Sequence, residues 1–172
     1  NRKVIAGALS LNILDKQTVV KSGTIVESWL LNKTKHVYNG LKLNEIINTN
    51  PVEVDLLTGR CLLHPAEIFN LVGNYDAKTF QHYGGDDEFS MRIKKFGYLC
   101  LLCPSSIVFL NPNQDTFLKK ISLKNFLYIL FNKKSSFNII SKFYLAKKAV
   151  PIYAKISFFI IGMLKSLLFF IK

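Results

Sequence analysis

Asp86, Asp87 and Glu88 stand in a row behind Gly84 and Gly85, and Arg92 follows four residues after Glu88. Carboxylates at the mouth of a glycine turn suit one task above others, taking a proton from a substrate hydroxyl as it becomes a nucleophile. Phe89, Ile93 and Phe96 recur at helical spacing, so the motif opens a short helix with these three on its buried side. Glu88 and Arg92 are placed to pair on the opposite side. Lys94 and Lys95 fall in the last turn, and Gly97 ends the helix. Asp86 or Asp87 is the natural N-cap, facing backbone N–H groups that a helix leaves unpaired. A plainer role uses the same acids, capping the helix and offsetting its dipole, and residue types alone favour it.

The acidic motif has neighbours in a telling order. Before it come Thr58-Gly59, then Pro65 ahead of an apolar run, Ile68–Val72, which leads into Gly73-Asn74-Tyr75-Asp76. After it come Gly97-Tyr98, a stretch rich in Leu and Cys, and Pro104 before Ile107-Val108-Phe109. In this order the pieces resemble the second half of a family 2 glycosyltransferase domain, of the GT-A (nucleotide-diphospho-sugar transferase) fold. That family shows a Thr-Gly turn, a short helix ending in Gly-x-x-Asp, and an acidic motif followed by Arg. A Gly-Tyr pair and a Pro before one further strand complete it. The resemblance covers about residues 1–112, weakly at the start and well over 54–109.

This resemblance implies an enzyme that moves a sugar from a nucleotide-diphosphate donor to an acceptor hydroxyl, with inversion. Aligned on Arg92, Asp86 falls where the family's general base stands, and Asp87 is the alternative base one position out. Glu88 falls on the family's second acid and would orient Arg92. Thr58 and Gly59 would lie by donor sugar and acceptor, and His82 and Tyr83, on the approach to the motif, would contact substrate. The acceptor would be a growing glycan or a lipid-linked one. A divalent cation, Mn²⁺ or Mg²⁺, would neutralise the diphosphate leaving group in the complete enzyme.

Two departures from the family bear on that cation. The first half of the family's domain carries an Asp-x-Asp metal motif, and this sequence has none. Where many members place a His at the end of the last strand, after the Pro, this chain has Leu110, which cannot ligate, followed by Asn111, a weak substitute. The chain starts at Asn1 rather than Met, so it reads as a piece lacking the donor and metal half, inactive alone. The alternative reading is an inactive remnant that binds only a membrane or a protein partner.

Charge separates two regions of the 172 residues. Residues 1–114 hold 12 Lys and Arg against 10 acids, whereas residues 115–172 hold 11 Lys against Asp115 alone. That basic tail is also rich in Phe, Ile and Leu, which points to an anionic membrane surface. Nucleic acid fits poorly, because the tail has no Arg and its aromatics sit inside aliphatic runs. The expected location is peripheral, on the cytoplasmic face of the cell membrane. Three cysteines, Cys61, Cys100 and Cys103, do not pair evenly and suit a reducing setting. Cys61-x-x-His64 with Cys100-x-x-Cys103 sketches a zinc site. Cys100 and Cys103 lie in a strand pattern, though, where positions three apart face opposite ways, and core packing fits them better.

The elements that must hold the motif follow from periodicity. Residues 4–9 and 18–21 read as a hairpin, 23–31 as a further extended piece, and 32–50 as a long surface loop. His36 and Trp29 read as scaffold. Residues 52–57 suggest a strand turning at Thr58-Gly59, and Pro65 starts a helix that Gly73 ends. Residues 98–102 and 107–110 read as two buried strands, so the class is α/β: a partial GT-A layered domain followed by C-terminal amphipathic helices. A boundary is expected after Pro112, with helices over 123–131 and 137–145. On one helix over 147–172, Lys147, Lys148, Lys155, Lys165 and Lys172 would fall within an arc of about 120°. That pattern suits a helix lying in the membrane interface; packing within a bundle and a tilted span are the other two readings.

Overall fold

The computed structural model describes residues 3–111 and 123–171. It is a mixed α/β structure in two compact units. The first comprises Asn1–Ile25, Thr34–Asn74 and Ser90–Gln114; the second comprises Val26–Lys33, Tyr75–Phe89 and Asp115–Lys172.

The first unit is built on β1 (Val4–Asn12), whose Ile5, Leu9 and Leu11 are fully buried. It runs parallel to β7 (Leu99–Leu110) over its whole length. Short strands complete the mixed sheet. β2 (Val19–Lys21) and β6 (Leu62–Leu63) pair antiparallel with β1, and β5 (Val52–Val54) pairs antiparallel with β7. The expected β1–β2 hairpin is present. Asp15 closes its turn, accepting the Thr18 hydroxyl at 2.5 Å and the N–H groups of Gln17 and Thr18 at 3.0 Å. The Thr18 bonds, with that of Gln17, hold its carboxyl well below the usual carboxylate range.

β7 is one strand where the sequence suggests two. Its pairing with β1 slips between Ala8 and Leu9, which face Cys103 and Ile107. Pro104-Ser105-Ser106 therefore bulge out of register, and a bulge is where a strand tolerates a residue without an N–H. Cys100 is fully buried in this strand, and burial pushes its thiol up to about 11. Its partner in the imagined zinc site, Cys103, is half-buried, and Cys61 is exposed.

The expected loop over 32–50 contains β4 (Lys33–His36) and α1 (Leu43–Ile46). β4 pairs with β3 (Thr24–Ser28) in a separate two-stranded sheet. All four residues of β4 are exposed, so no apolar alternation marks it in the sequence. α2 (Ile68–Val72) begins after a turn on Pro65, whose carbonyl accepts the Ile68 N–H at 3.1 Å. Gly73 ends it at φ +78°.

α3 (Gly85–Lys94) passes from the second unit into the first. Phe89 and Ile93 are buried as expected, but Phe96 lies past the helix end and is exposed. Gly97, at φ +79°, is the cap: its N–H donates to Lys94 O at 3.0 Å and that of Tyr98 to Ile93 O at 3.3 Å. This bond pair is a Schellman motif, and its left-handed residue favours glycine.

In the second unit α4 (Leu123–Phe131) and α5 (Ile139–Lys148) stand close to their expected places. The long helix expected over 147–172 is broken. Pro151, which has no N–H and restricts the residue before it, is followed by a 3-10 turn (Ile152–Ala154) and α6 (Lys155–Ile171). Lys147 and Lys148 thus belong to α5, Lys155 and Lys165 to α6, so no single arc gathers them. Lys172 and the compositional shift at Pro112 lie outside the described residues. Gly162 and Ser166 are buried, and a side chain at Gly162 would meet Asn32 Nδ2 at 2.8 Å. Asn32 Nδ2 donates to Phe158 O at 3.2 Å, and Trp29 lies 6.0 Å from the Phe158 ring. Lys165 Nζ donates to the carbonyls of Asn32 (2.6 Å) and Leu31 (3.3 Å). Away from this contact Ile156, Ile160, Leu164 and Leu168 form a stripe, each at least half exposed. Among the described residues no helix is long and apolar enough to cross a membrane.

Close backbone approach within the first unit gives a test. A Cβ at Gly23 would sit 2.7 Å from Val54 Cγ1 and 2.8 Å from Cγ2, on a side chain that cannot easily rotate away. Gly23→Ala is expected to destabilise by roughly 1–3 kcal/mol in urea unfolding. In the Val54→Ala background the same change should cost clearly less; an equal cost would mean the backbone elsewhere sets the requirement.

Candidate functional site

Helix α3 carries four of the eight candidate residues, Asp86, Asp87, Glu88 and Arg92. Gly84, at φ +87°, turns the chain in, and the helix begins at Gly85. The acids therefore sit inside the first turn rather than at its cap. Glu88 N–H donates to Gly84 O at 2.9 Å, and Asp87 N–H to Asp86 Oδ1 at 3.2 Å. Carboxylates in a first turn face the positive end of the helix dipole. Asp86 and Asp87 are half-buried, neither sealed in nor fully in water. Glu88 is the exception to expectation. It is buried instead of lining the exposed side, so it is placed to hold structure, not to meet an incoming acceptor.

Within the second unit this end of α3 rests on aromatic packing. The Tyr75 and Phe89 rings stack with centroids 4.1 Å apart, and Phe80 lies under the glycine turn, 3.2 Å from where a Gly84 side chain would begin. Asp76 anchors the preceding segment, accepting Lys148 Nζ at 2.5 Å and Thr79 N–H at 3.0 Å. The Lys148 and Thr79 bonds hold the Asp76 carboxyl well below the usual carboxylate range. His82 and Tyr83 are exposed in the bends before the helix, their rings edge to face at 4.8 Å.

Within the first unit the rest of α3 is pinned by polar side chains. Arg92 donates to the carbonyls of Val72, Gly73 and Asn74, with 3.5 Å to Gly73 O and 3.0 Å to Asn74 O. These are carbonyls at and just past the end of α2, where a cation is favoured. Lys94 Nζ pairs with Asp55 at 2.7 Å and reaches Val54 O at 3.3 Å. Ser90 Oγ, fully buried, accepts the Leu57 N–H at 3.1 Å and so fixes the chain just before Thr58. Thr58 is half-buried and Gly59 exposed in the following turn. Thr58 and Gly59 thus belong to the first unit with Arg92, while the three acids, His82 and Tyr83 belong to the second.

The sequence did not single out Ser90, Lys94, Asp55 or Tyr75 as site-forming residues. A serine on the buried stripe beside Phe89 is the one signal that was readable, because a buried hydroxyl must find a partner. Among the described residues no three His, Cys, Asp or Glu side chains gather to hold a metal ion, and Leu110 offers no donor.

Arg92 supports the helix through a planar fork on several carbonyls, which a lysine cannot reproduce. Arg92→Lys should lower stability by about 1–2 kcal/mol in chemical denaturation; an unchanged midpoint would show that the fork contributes nothing. Compared with known proteins, the chain matches no family model and no curated protein sequence.

Proposed function

We propose that this chain is the acceptor-side part of a family 2-like glycosyltransferase of GT-A fold, serving polysaccharide or glycoconjugate synthesis. The carrying observation is the position of Asp86, half-buried in the first turn of α3 behind a positive-φ glycine. A carboxylate so placed is fixed in direction and still reachable by a hydroxyl. Asp86 takes the proton of the acceptor hydroxyl as its oxygen bonds to the anomeric carbon. The bond from that carbon to the nucleotide diphosphate breaks with inversion, and the diphosphate leaves with the electron pair. Asp87 is the alternative base. Thr58, Gly59, His82 and Tyr83 are the substrate-facing candidates, and Arg92 and Glu88 act from the helix framework.

The acceptor in this reading is a glycan or a lipid-linked glycan, worked on at the cytoplasmic face of a cell membrane. What supports a membrane partner is the exposed apolar stripe of α6, Ile156 through Leu168, in a tail with 11 Lys and one acid. The same stripe favours the second reading, an inactive module that only docks on an anionic bilayer.

Two experiments separate these roles. In the protein expressed from its native gene, Asp86→Asn should cut sugar transfer by at least about a hundredfold at unchanged melting temperature; turnover at the unsubstituted rate would remove Asp86 as base. Replacing Ile160 and Leu164 together by Glu should weaken sedimentation with anionic vesicles roughly tenfold or more. If binding persists undiminished, α6 is not the docking face.

A further inference from the structure

The second unit contains a cavity of about 410 Å³ that the acidic motif does not share. Lys78, Thr79, Lys133, Asn138, Ser141 and Tyr144 line it, and Ile140 adds an apolar wall. No carboxylate is among the lining residues; Asp76, close in sequence, is paired with Lys148. Ile140 and Ser141 are the second and third residues of α5, so the positive end of a ten-residue helix opens on the cavity. Asn138 caps that helix, its Oδ1 accepting the Ser141 N–H at 2.8 Å. The other end of the same side chain is unusual. Asn138 is 2 % exposed, and its Nδ2 has no hydrogen-bond partner. A buried amide donor without a partner is costly, and native proteins keep few of them without a reason.

An unpaired amide donor, a helix N-terminus, three hydroxyls and two ammonium groups share one chemical preference, an oxyanion with several acceptor oxygens. The volume is in the range that takes a small molecule rather than a lone ion. We propose that this cavity binds a phosphate group, as a phosphate monoester or diphosphate, with Asn138 Nδ2 and Lys133 among its ligands. The phosphate comes either on a free compound or on a lipid headgroup. This site is independent of the role given to Asp86.

Asn138→Asp separates binding from folding, because an aspartate still caps the helix but removes the donor and repels an anion. Lys133→Gln removes a lining charge, and Lys134→Gln, outside the cavity, is its charge-matched control. The full chain is titrated by calorimetry with inorganic phosphate and pyrophosphate, and by sedimentation with phosphatidylcholine vesicles with and without phosphatidic acid. Asn138→Asp and Lys133→Gln should bind at least about tenfold more weakly than the parent chain, and Lys134→Gln within about twofold of it. That pattern with soluble anions assigns a free phosphate compound; the same pattern with phosphatidic acid alone assigns a headgroup. The proposal is overturned if no probe binds, if Asn138→Asp binds like the parent, or if Lys134→Gln falls as far as Lys133→Gln.

Discussion

Two adjacent strands running in the same direction, β1 and β7, are the constraint from which the remaining architecture follows. Antiparallel neighbours can be joined by a tight turn, whereas parallel neighbours need a crossover. Here the crossover is the entire chain from Ile13 to Tyr98, and every candidate site residue lies in it. The paired strands occupy the middle of the sheet, which explains why β1 buries Ile5, Leu9 and Leu11 so completely. The return into β7 is made by the last turn of α3 and the left-handed Gly97. The direction of that helix is thus tied to the sheet by a cap of two backbone bonds, and laterally by Ser90, Arg92 and Lys94.

Much of this framework was legible because it rests on local rules. Gly73 and Gly97 mark helix ends, Phe89 and Ile93 mark a buried helical stripe, and the β1–β2 hairpin follows from two extended runs on either side of a turn near residues 12–16. The misses have physical causes too. Pro104 looks like a strand break, yet a three-residue bulge absorbs it and β7 continues. Lys33-Thr34-Lys35-His36 forms a strand with no buried face, held by pairing with β3 and by side-chain bonds to it, His36 with Thr24 and Lys33 with Glu27. Pro151 breaks the terminal apolar run, so the lysines on either side of it do not share one continuous helix.

The acidic motif was legible as a helix start but not in its burial. Glu88 follows two half-buried acids and looks equally suited to water, yet the fold takes it inside. Which of three consecutive carboxylates faces inward is decided by what packs around the first turn, here the Tyr75–Phe89 stack and Phe80. Those contacts come from the loop just before the helix, and no periodicity announces them. The unpaired amide of Asn138 is hidden for the same reason: an asparagine before a helix reads as a cap, and only the three-dimensional surroundings show that half of it is left over.

Lysines that look alike in the sequence end in different circumstances. Lys148 is joined to Asp76, and Lys165 spends its ammonium on the carbonyls of Leu31 and Asn32. On α6 the described lysines are Lys155 and Lys165, and the outward stripe itself, Ile156, Ile160, Leu164 and Leu168, carries no charged side chain. On the proposed reading, that stripe would dock through the water it sheds. Raising ionic strength would loosen a lysine-held contact within a Debye length or so, but it would leave one made by Ile160 and Leu164 in place, or tighten it.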